Sequence, residues 1–166
     1  MAEAGFGDGQ TTYAGFWWRV LAWLLDTIIA TTMVVVIGFI VGFVLATSYP
    51  DLARDTATLS LIGQIIGIVG TVLYFTCFEA SALRATPGKM LCAIKVVDER
   101  GERISFGRSL GRYLGKIISA LILGIGFMMA GWTRQKQALH DIMTGCLVIR
   151  VPRTVQRIAL PAGARM

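Results

Sequence analysis

A single aspartate interrupts the most apolar stretch of this chain. Between Val20 and Thr47 the only ionisable side chain belongs to Asp26, and twenty uncharged residues follow it, TIIATTMVVVIGFIVGFVLA. An uncharged run of this length is typical of a transmembrane helix. A carboxylate inside such a helix is costly to bury, so it needs a partner, a proton or a function.

Arg19 opens the same segment, seven residues before Asp26. Seven residues make nearly two helical turns, so the two side chains share a face of the helix and lie about 10 Å apart along its axis. An arginine at the end of a membrane helix extends toward water, away from a carboxylate two turns deeper. Arg19 is therefore a poor direct partner for Asp26.

The composition of the whole chain is that of a membrane protein. Of its 166 residues 55% are apolar, and the mean hydropathy is +0.65. The net charge of +6 comes from basic residues beside apolar runs, so we expect these residues to face anionic lipid headgroups rather than nucleic acid. The first nineteen residues do not resemble a cleaved signal, so we expect the first span to be retained.

Two segments predict transmembrane helices, and they are joined by a short polar loop at residues 48–55. The first helix enters through an aromatic cluster and spans residues 16–46, and the second spans residues 56–78. Each contains a G-x-x-x-G motif, formed by Gly38 and Gly42 in the first helix and by Gly63 and Gly67 in the second, which lets helix backbones approach closely. Whether the two motifs pack on each other stays open.

The distribution of charge predicts the orientation of these helices. Residues 80–116 carry eight lysines and arginines, whereas the loop at 48–55 carries Arg54 against Asp51 and Asp55. The positive-inside rule therefore places residues 80–116 and the amino terminus in the cytoplasm.

The basic region contains two further elements. Residues 91–97 (LCAIKVV) are rich in β-formers and precede a polar turn and Ile104, which predicts a small cytoplasmic β-hairpin. Residues 106–116 have the spacing of an interfacial amphipathic helix. Residues 146–151 (CLVIRV) predict a strand that could join the hairpin as a third strand if the carboxyl end is also cytoplasmic.

The uncharged run at residues 117–133 allows two interpretations. Its seventeen residues are at the lower limit for a membrane span, and basic residues flank both of its ends. The run is either a third span or a re-entrant hairpin. The predicted fold is thus an all-α membrane protein with two transmembrane helices, this third span or hairpin, and a small β-hairpin. A disordered tail (1–12) and a basic tail (152–166) are expected to flank the membrane domain, which spans residues 13–151.

Three segments resemble the RDD family of bacterial membrane proteins. YAGFWWRVLAWLLDTII is similar to the opening of the family pattern, TPGKMLCAIKVVDERGERISFGRSLGR to its middle and ALHDIMTGCLVIR to its end. The arginine and two aspartates for which the family is named match Arg19, Asp26 and Asp141. The resemblance implies a small multi-span protein of the bacterial inner (cytoplasmic) membrane, for which transport is often suggested. The chain departs from the pattern at EASALRA, which places Glu79 and Arg84 near the site as auxiliary residues.

These residues support two hypotheses. In the first, Arg19 pairs with Asp141 and docks the carboxy-terminal part of the chain onto the first span, while Asp26 is the deeper group and exchanges a proton with a cation. In the second, all three residues form one satisfied network whose only task is assembly.

The sequence predicts no enzyme, no cofactor and no metal site. It lacks nucleophile, dinucleotide and phosphate-loop motifs, and its three cysteines have no paired spacing. His140 and Asp141 are neighbours, which point about 100° apart on a helix, so we interpret His140 as structural or interfacial. Three classes of function remain: a cation or small-solute transporter working as a homo-oligomer, an accessory subunit of a larger membrane complex, and a membrane anchor or lipid-handling factor.

Overall fold

The computed structural model describes residues 12–122 and 124–151, except for the side chain of Ala53. The predicted disordered tail, apart from Thr12, and the predicted basic tail at 152–166 lie outside the described residues. Within them the chain is mainly helical and carries one small antiparallel sheet.

Two long helices dominate the molecule. Helix α1 spans Phe16–Ser48, the short helix α2 spans Pro50–Arg54, and helix α3 spans Thr56–Ala80. Both α1 and α3 are long and apolar enough to cross a membrane, as predicted. The Asp55 carboxylate starts α3 by accepting the backbone N–H groups of its first turn at 3.1 and 3.3 Å. With 33 residues α1 is about 50 Å long, whereas the hydrocarbon layer of a bilayer is only about 30 Å thick.

The contact between α1 and α3 uses only part of the two glycine motifs. A Cβ added at Gly67 or Gly70 of α3 would lie 3.8 or 3.6 Å from the Val34 side chain of α1, so the helices approach each other there. A Cβ added at Gly38 or Gly42 would meet no described atom within 4 Å. The glycines of the α1 motif therefore have no close contact among the described residues, although Gly38 lies one helical turn from Val34 on the same face.

The sheet joins segments that lie far apart in the sequence. Strand β1 (Ile94–Asp98) pairs antiparallel with strand β2 (Cys146–Arg150), so that Ile94 lies opposite Arg150. The small antiparallel sheet is confirmed. The strand that pairs with β1 is the segment at 146–151, which the sequence predicted as a possible third strand. The expectation that β1 forms a hairpin with the segment at Ile104 is wrong. The turn after β1 closes on itself, with the Asp98 N–H donating to the Glu102 carbonyl oxygen at 3.0 Å, and Ile104 packs into the core instead.

This core lies between the sheet and the beginning of α1. Its buried residues are Ala14, Ala22, Cys92, Ile94, Val96, Ile104, Cys146 and Val148. Helix α4 (Pro87–Leu91) packs directly on α1, because Gly88 has no side chain to hold the two backbones apart. A Cβ added at Gly88 would lie only 2.6 Å from the Ala22 carbonyl oxygen.

Helix α5 (Phe106–Leu121) is amphipathic, as predicted over residues 106–116, but it buries its polar face. Ser109, Arg112 and Ser119 are buried, whereas Leu114 and Leu121 are more than half exposed. The polar face packs against α3 and against helix α7 (Leu139–Met143). The expectation that these basic residues face lipid headgroups is therefore wrong for Arg112, because carboxylates of α3 and α7 compete successfully for its guanidinium group.

The run at 117–133 is bent. After α5 the chain forms helix α6 (Ile125–Met128) and a 3₁₀ turn (Met129–Gly131), which meet α5 at 116°. Such a bend is found both in broken spans and in re-entrant loops. Helix α7 (Leu139–Met143) then leads into β2.

Candidate functional site

Charged side chains from five elements converge between the beginning of α1 and the end of α3. The carboxylates of Asp26, Glu79 and Asp141 are at most 1% exposed, and so is Arg112. A buried charge is tolerated only when it is paired or fully hydrogen-bonded, so each of these groups needs identifiable partners.

Asp141 is held between two arginines. Its Oδ1 accepts hydrogen bonds from Arg112 Nε at 3.1 Å and Nη2 at 2.6 Å, and its Oδ2 accepts from Arg19 Nη1 and from the Ala138 N–H at 3.2 Å. The predicted pair of Arg19 and Asp141 is thus present. Arg19 also donates to the Lys136 carbonyl oxygen at 2.6 Å, so one side chain ties the first turn of α1 to the carboxy-terminal segment.

Arg19 and Arg112 determine the charge state of the Asp141 carboxyl group. Burial by itself would raise the pKa of the Asp141 carboxyl group, but Arg19 and Arg112 outweigh burial and hold that pKa well below its usual range. Burial lowers the pKa of the neighbouring His140 to about 3, so this imidazole is neutral at physiological pH. His140 lies 3.3 Å from Ser119 Oγ and packs against the Phe127 ring, in agreement with a structural histidine.

Glu79 forms the second half of the network. Its Oε2 accepts from Arg112 Nη1 at 2.8 Å, and its Oε1 pairs with Lys89 and lies 3.6 Å from Lys116 Nζ. Arg112 therefore bridges the carboxylates of α3 and α7. Glu79, expected only as an auxiliary residue, lies at the centre, whereas Arg84 points away and donates to the Gly101 carbonyl oxygen at 2.7 Å.

Sequence reasoning missed the roles of Lys89, Arg112 and Lys116. A signal was available for Arg112, because Ser109, Arg112 and Ser119 recur at helical spacing on one face of α5. The same stripe fits a headgroup-facing surface equally well, so the signal did not reveal what the stripe contacts.

Asp26 forms a separate site one layer deeper in α1. Its Oδ1 accepts from Tyr74 Oη at 2.9 Å and from the Gly88 N–H at 2.8 Å, and its Oδ2 accepts from Thr86 Oγ1. Among the described residues Asp26 has no ion pair, and the prediction that Arg19 does not bind it directly is confirmed. The close approach of Gly88 is what brings the α4 backbone within reach of the carboxylate.

Comparison with known proteins gives this arrangement a family. The model of the RDD family matches residues 13–145, which include all the residues of both sites. The chain belongs to the RDD family. It is 36% identical over 146 residues to the uncharacterized protein YxaI of Bacillus subtilis, covering 82% of this chain and 96% of that protein. No solved structure matches the chain.

Other relatives of this RDD protein are longer. The proline-rich antigen homolog of Mycobacterium tuberculosis (strain H37Rv) is 34% identical over 93 residues, which cover 51% of this chain and 39% of that protein. The proline-rich antigen of Mycobacterium leprae is 30% identical over 156 residues, covering 81% of this chain and 61% of that protein. The RDD chain thus matches only part of the length of these relatives.

The buried carboxylates of this RDD protein already have hydrogen-bond donors within the chain. Each carboxylate oxygen of Asp26, Glu79 and Asp141 contacts at least one donor. The described residues also contain no group of three histidine, cysteine or acidic side chains placed to hold a metal ion. One buried hydroxyl, that of Thr76, has no hydrogen-bond partner in the described part of the chain, and it lies one helical turn from Glu79.

Proposed function

We propose that this RDD protein is an accessory subunit that packs against the helices of a larger complex in the bacterial inner membrane. The observation that carries the proposal is the saturation of the buried charges. Because Asp26, Glu79 and Asp141 already have donors on both oxygens, they act as a clamp that holds the sheet and α7 on the spans. The surface left for function is the apolar outside of the spans.

The spans offer faces suited to contact with other helices. Gly38 and Gly42 of α1, and Gly63 of α3, each have open space where a Cβ would stand. In membranes, small residues at this spacing let a partner helix approach closely, and van der Waals packing then stabilises the pair. Since no described atom lies within 4 Å of a Cβ built at either glycine of α1, the space beside them is available to a helix of another protein.

The lengths of the relatives are consistent with a membrane module that functions together with other domains or proteins. The matched part occurs within longer chains in the two mycobacterial antigens, and it covers 96% of the relative from Bacillus subtilis. A membrane unit found both inside longer chains and nearly by itself fits a supporting role. The excess of basic residues at 80–116 supports an orientation with the sheet and the amino terminus in the cytoplasm, facing anionic headgroups.

Proton or cation exchange at Asp26 is the second candidate. The supporting observation is that this carboxylate lies inside a span with only neutral donors among the described residues, namely two hydroxyls and one backbone N–H. Intramembrane carboxylates are often functional. Two spans enclose no path, so this role would need a homo-oligomer with Asp26 lining a shared path.

The two candidate functions predict different complexes: an accessory subunit binds a different membrane protein, whereas an exchanger forms a homo-oligomer. We would cross-link the chain in its native membrane, solubilise it in mild detergent and measure the mass and composition of the complex. We expect a different membrane protein at a fixed ratio. The double variant Gly38→Leu/Gly42→Leu should lose it, since leucine side chains block close helix approach. Val36→Leu, on the opposite face of α1, is the matched control and should retain the partner. A protein that stays monomeric would contradict the proposal.

A homo-oligomer would direct attention to exchange. For that case, liposomes containing the purified protein are given a sodium or potassium jump while internal pH is followed. Exchange requires a pH change in wild type that Asp26→Asn abolishes. If wild type and Asp26→Asn are both silent, exchange at Asp26 is wrong.

A further inference from the structure

A groove at the beginning of α1 is not used by either charged site. It has a volume of about 520 Å³, within the range of small-molecule sites. The first turn of α1 and the segment around the 3₁₀ turn form its walls. The lining residues are Gly15, Phe16, Trp17, Trp18, Met128, Gly131 and Trp132.

The floor of the groove is apolar and aromatic. Trp17 is 77% exposed and Trp132 is 62% exposed, which would be costly in water. Tryptophan prefers the boundary between headgroups and acyl chains, where its ring is in hydrocarbon and its indole N–H is in the polar layer. The groove lies where the apolar run of α1 begins, so it opens at this boundary.

Two cations are held at the edge of the groove by its own lining residues. Lys136 Nζ donates to the Gly131 carbonyl oxygen at 2.8 Å, and the Arg150 guanidinium carbon lies 4.3 Å from the centre of the Trp18 ring. A guanidinium that stacks on a ring still presents its in-plane N–H groups to a phosphate. Among the described residues no carboxylate lines the groove, and the first turn of α1 contains no acidic residue to repel an anion.

We propose that this groove binds one anionic phospholipid. Its phosphate contacts Lys136 and Arg150, and an acyl chain follows Trp17, Met128 and Trp132 away from them. The apolar floor selects a lipid over free phosphate, because a soluble anion would leave the aromatic surface exposed. The two cations select an anionic headgroup over a zwitterionic one, because no acidic residue among the described lining residues would pair with the headgroup ammonium.

The site also has a consequence for the fold. Trp18 belongs to α1, Lys136 follows the 3₁₀ turn and Arg150 ends β2. A phosphate that bridges the two cations would therefore join the carboxy-terminal segments at the end of α1 that Arg19 already anchors through Asp141.

Tryptophan quenching by brominated lipids tests the proposal. The chain has four tryptophans, and in the variant Trp23→Phe the remaining three all line the groove. This protein is reconstituted in phosphatidylcholine vesicles containing a small fraction of either dibromo-phosphatidylglycerol or dibromo-phosphatidylcholine. We expect the anionic lipid to quench at about ten-fold lower mole fraction, as two cations near the headgroups imply.

Charge-neutral variants distinguish the groove from the general basic surface. Lys136→Gln/Arg150→Gln should abolish the preference, whereas Lys95→Gln/Arg100→Gln, with the same change in net charge but away from the groove lining, should retain it. Equal quenching by the two lipids in the Trp23→Phe protein, or equal loss in both double variants, would overturn the proposal. Displacement of the anionic lipid by millimolar inorganic phosphate would also overturn it, since it would identify a site for the anion alone.

Discussion

At the scale of single residues, the chain stabilises its two kinds of buried carboxylate differently. Asp141 and Glu79 are neutralised by arginine and lysine, whereas Asp26 relies on hydroxyl and backbone donors among the described residues. Charge-assisted hydrogen bonds are roughly twice as strong as neutral ones, and a donor left without an acceptor inside the protein costs free energy. Removing the Asp26 carboxylate would therefore leave the donors of Tyr74, Thr86 and Gly88 without this acceptor inside the protein.

Substitutions at Asp26 separate the contribution of its charge from that of its hydrogen bonds. Asp26→Asn keeps an oxygen for Tyr74 and Gly88, and its amide can donate to Thr86, so we expect a loss of about 1 kcal/mol or less in the free energy of unfolding. Asp26→Leu removes the acceptor of all three donors, and we expect a loss of about 3 kcal/mol or more. Thermal unfolding in detergent measures both. Equal melting temperatures for Asp26→Leu and wild type would contradict the assignment of these bonds.

At the scale of elements, α5 has its polar face inside and its apolar face outside. This orientation fits a helix whose neighbours are carboxylates on one side and lipid on the other. Close packing makes it feasible, because α7 lies directly against the α5 backbone. A Cβ added at Gly115 would be only 2.9 Å from the Cβ of His140. The network at Asp141 therefore depends on the absence of a side chain at Gly115.

Two glycines of α5 give a matched test of this packing. Gly115→Ala forces α7 away and should destabilise the protein by about 1–3 kcal/mol. Gly107→Ala, in the same helix but with no described atom within 4 Å of the new Cβ, should be neutral or stabilise by up to about 1 kcal/mol. Melting temperatures in detergent report both changes. A Gly115→Ala protein as stable as Gly107→Ala would show that α7 does not lie against α5.

At the scale of the whole molecule, strand pairing constrains the path of the chain through a membrane. Strands β1 and β2 hydrogen-bond directly, so residues 99–145 leave one end of the molecule and return to it. A single crossing by residues 117–133 would place the two strands on opposite sides of the bilayer. The strand pairing therefore favours the re-entrant hairpin over the third span.

Cysteine labelling tests this path. In a background whose native cysteines are replaced by alanine, single cysteines are introduced as Arg100→Cys, Gln135→Cys and Arg54→Cys, all at exposed positions. We expect a membrane-impermeant reagent to reach positions 100 and 135 from the same side and position 54 from the other. Labelling of positions 100 and 135 from opposite sides would establish a third crossing and contradict the hairpin.

Local composition was sufficient to predict the two transmembrane helices from the sequence. A run of about twenty uncharged residues predicts a membrane helix whatever surrounds it, because the bilayer requires backbone hydrogen bonds to be satisfied within the segment. The resemblance to the family motifs singled out Arg19, Asp26 and Asp141, and depth along α1 was enough to predict that Arg19 does not bind Asp26 directly.

Tertiary structure alone decided the partners. The polar stripe of α5 has one helical spacing whether it faces water, headgroups or carboxylates, and only the fold shows that Arg112 lies between Glu79 and Asp141. The pairing of β1 with β2 joins segments about fifty residues apart, and no local pattern specifies a partner at that distance. The sequence thus determined which segments enter a membrane and which residues are unusual there, whereas the contacts that satisfy each buried charge required the complete fold.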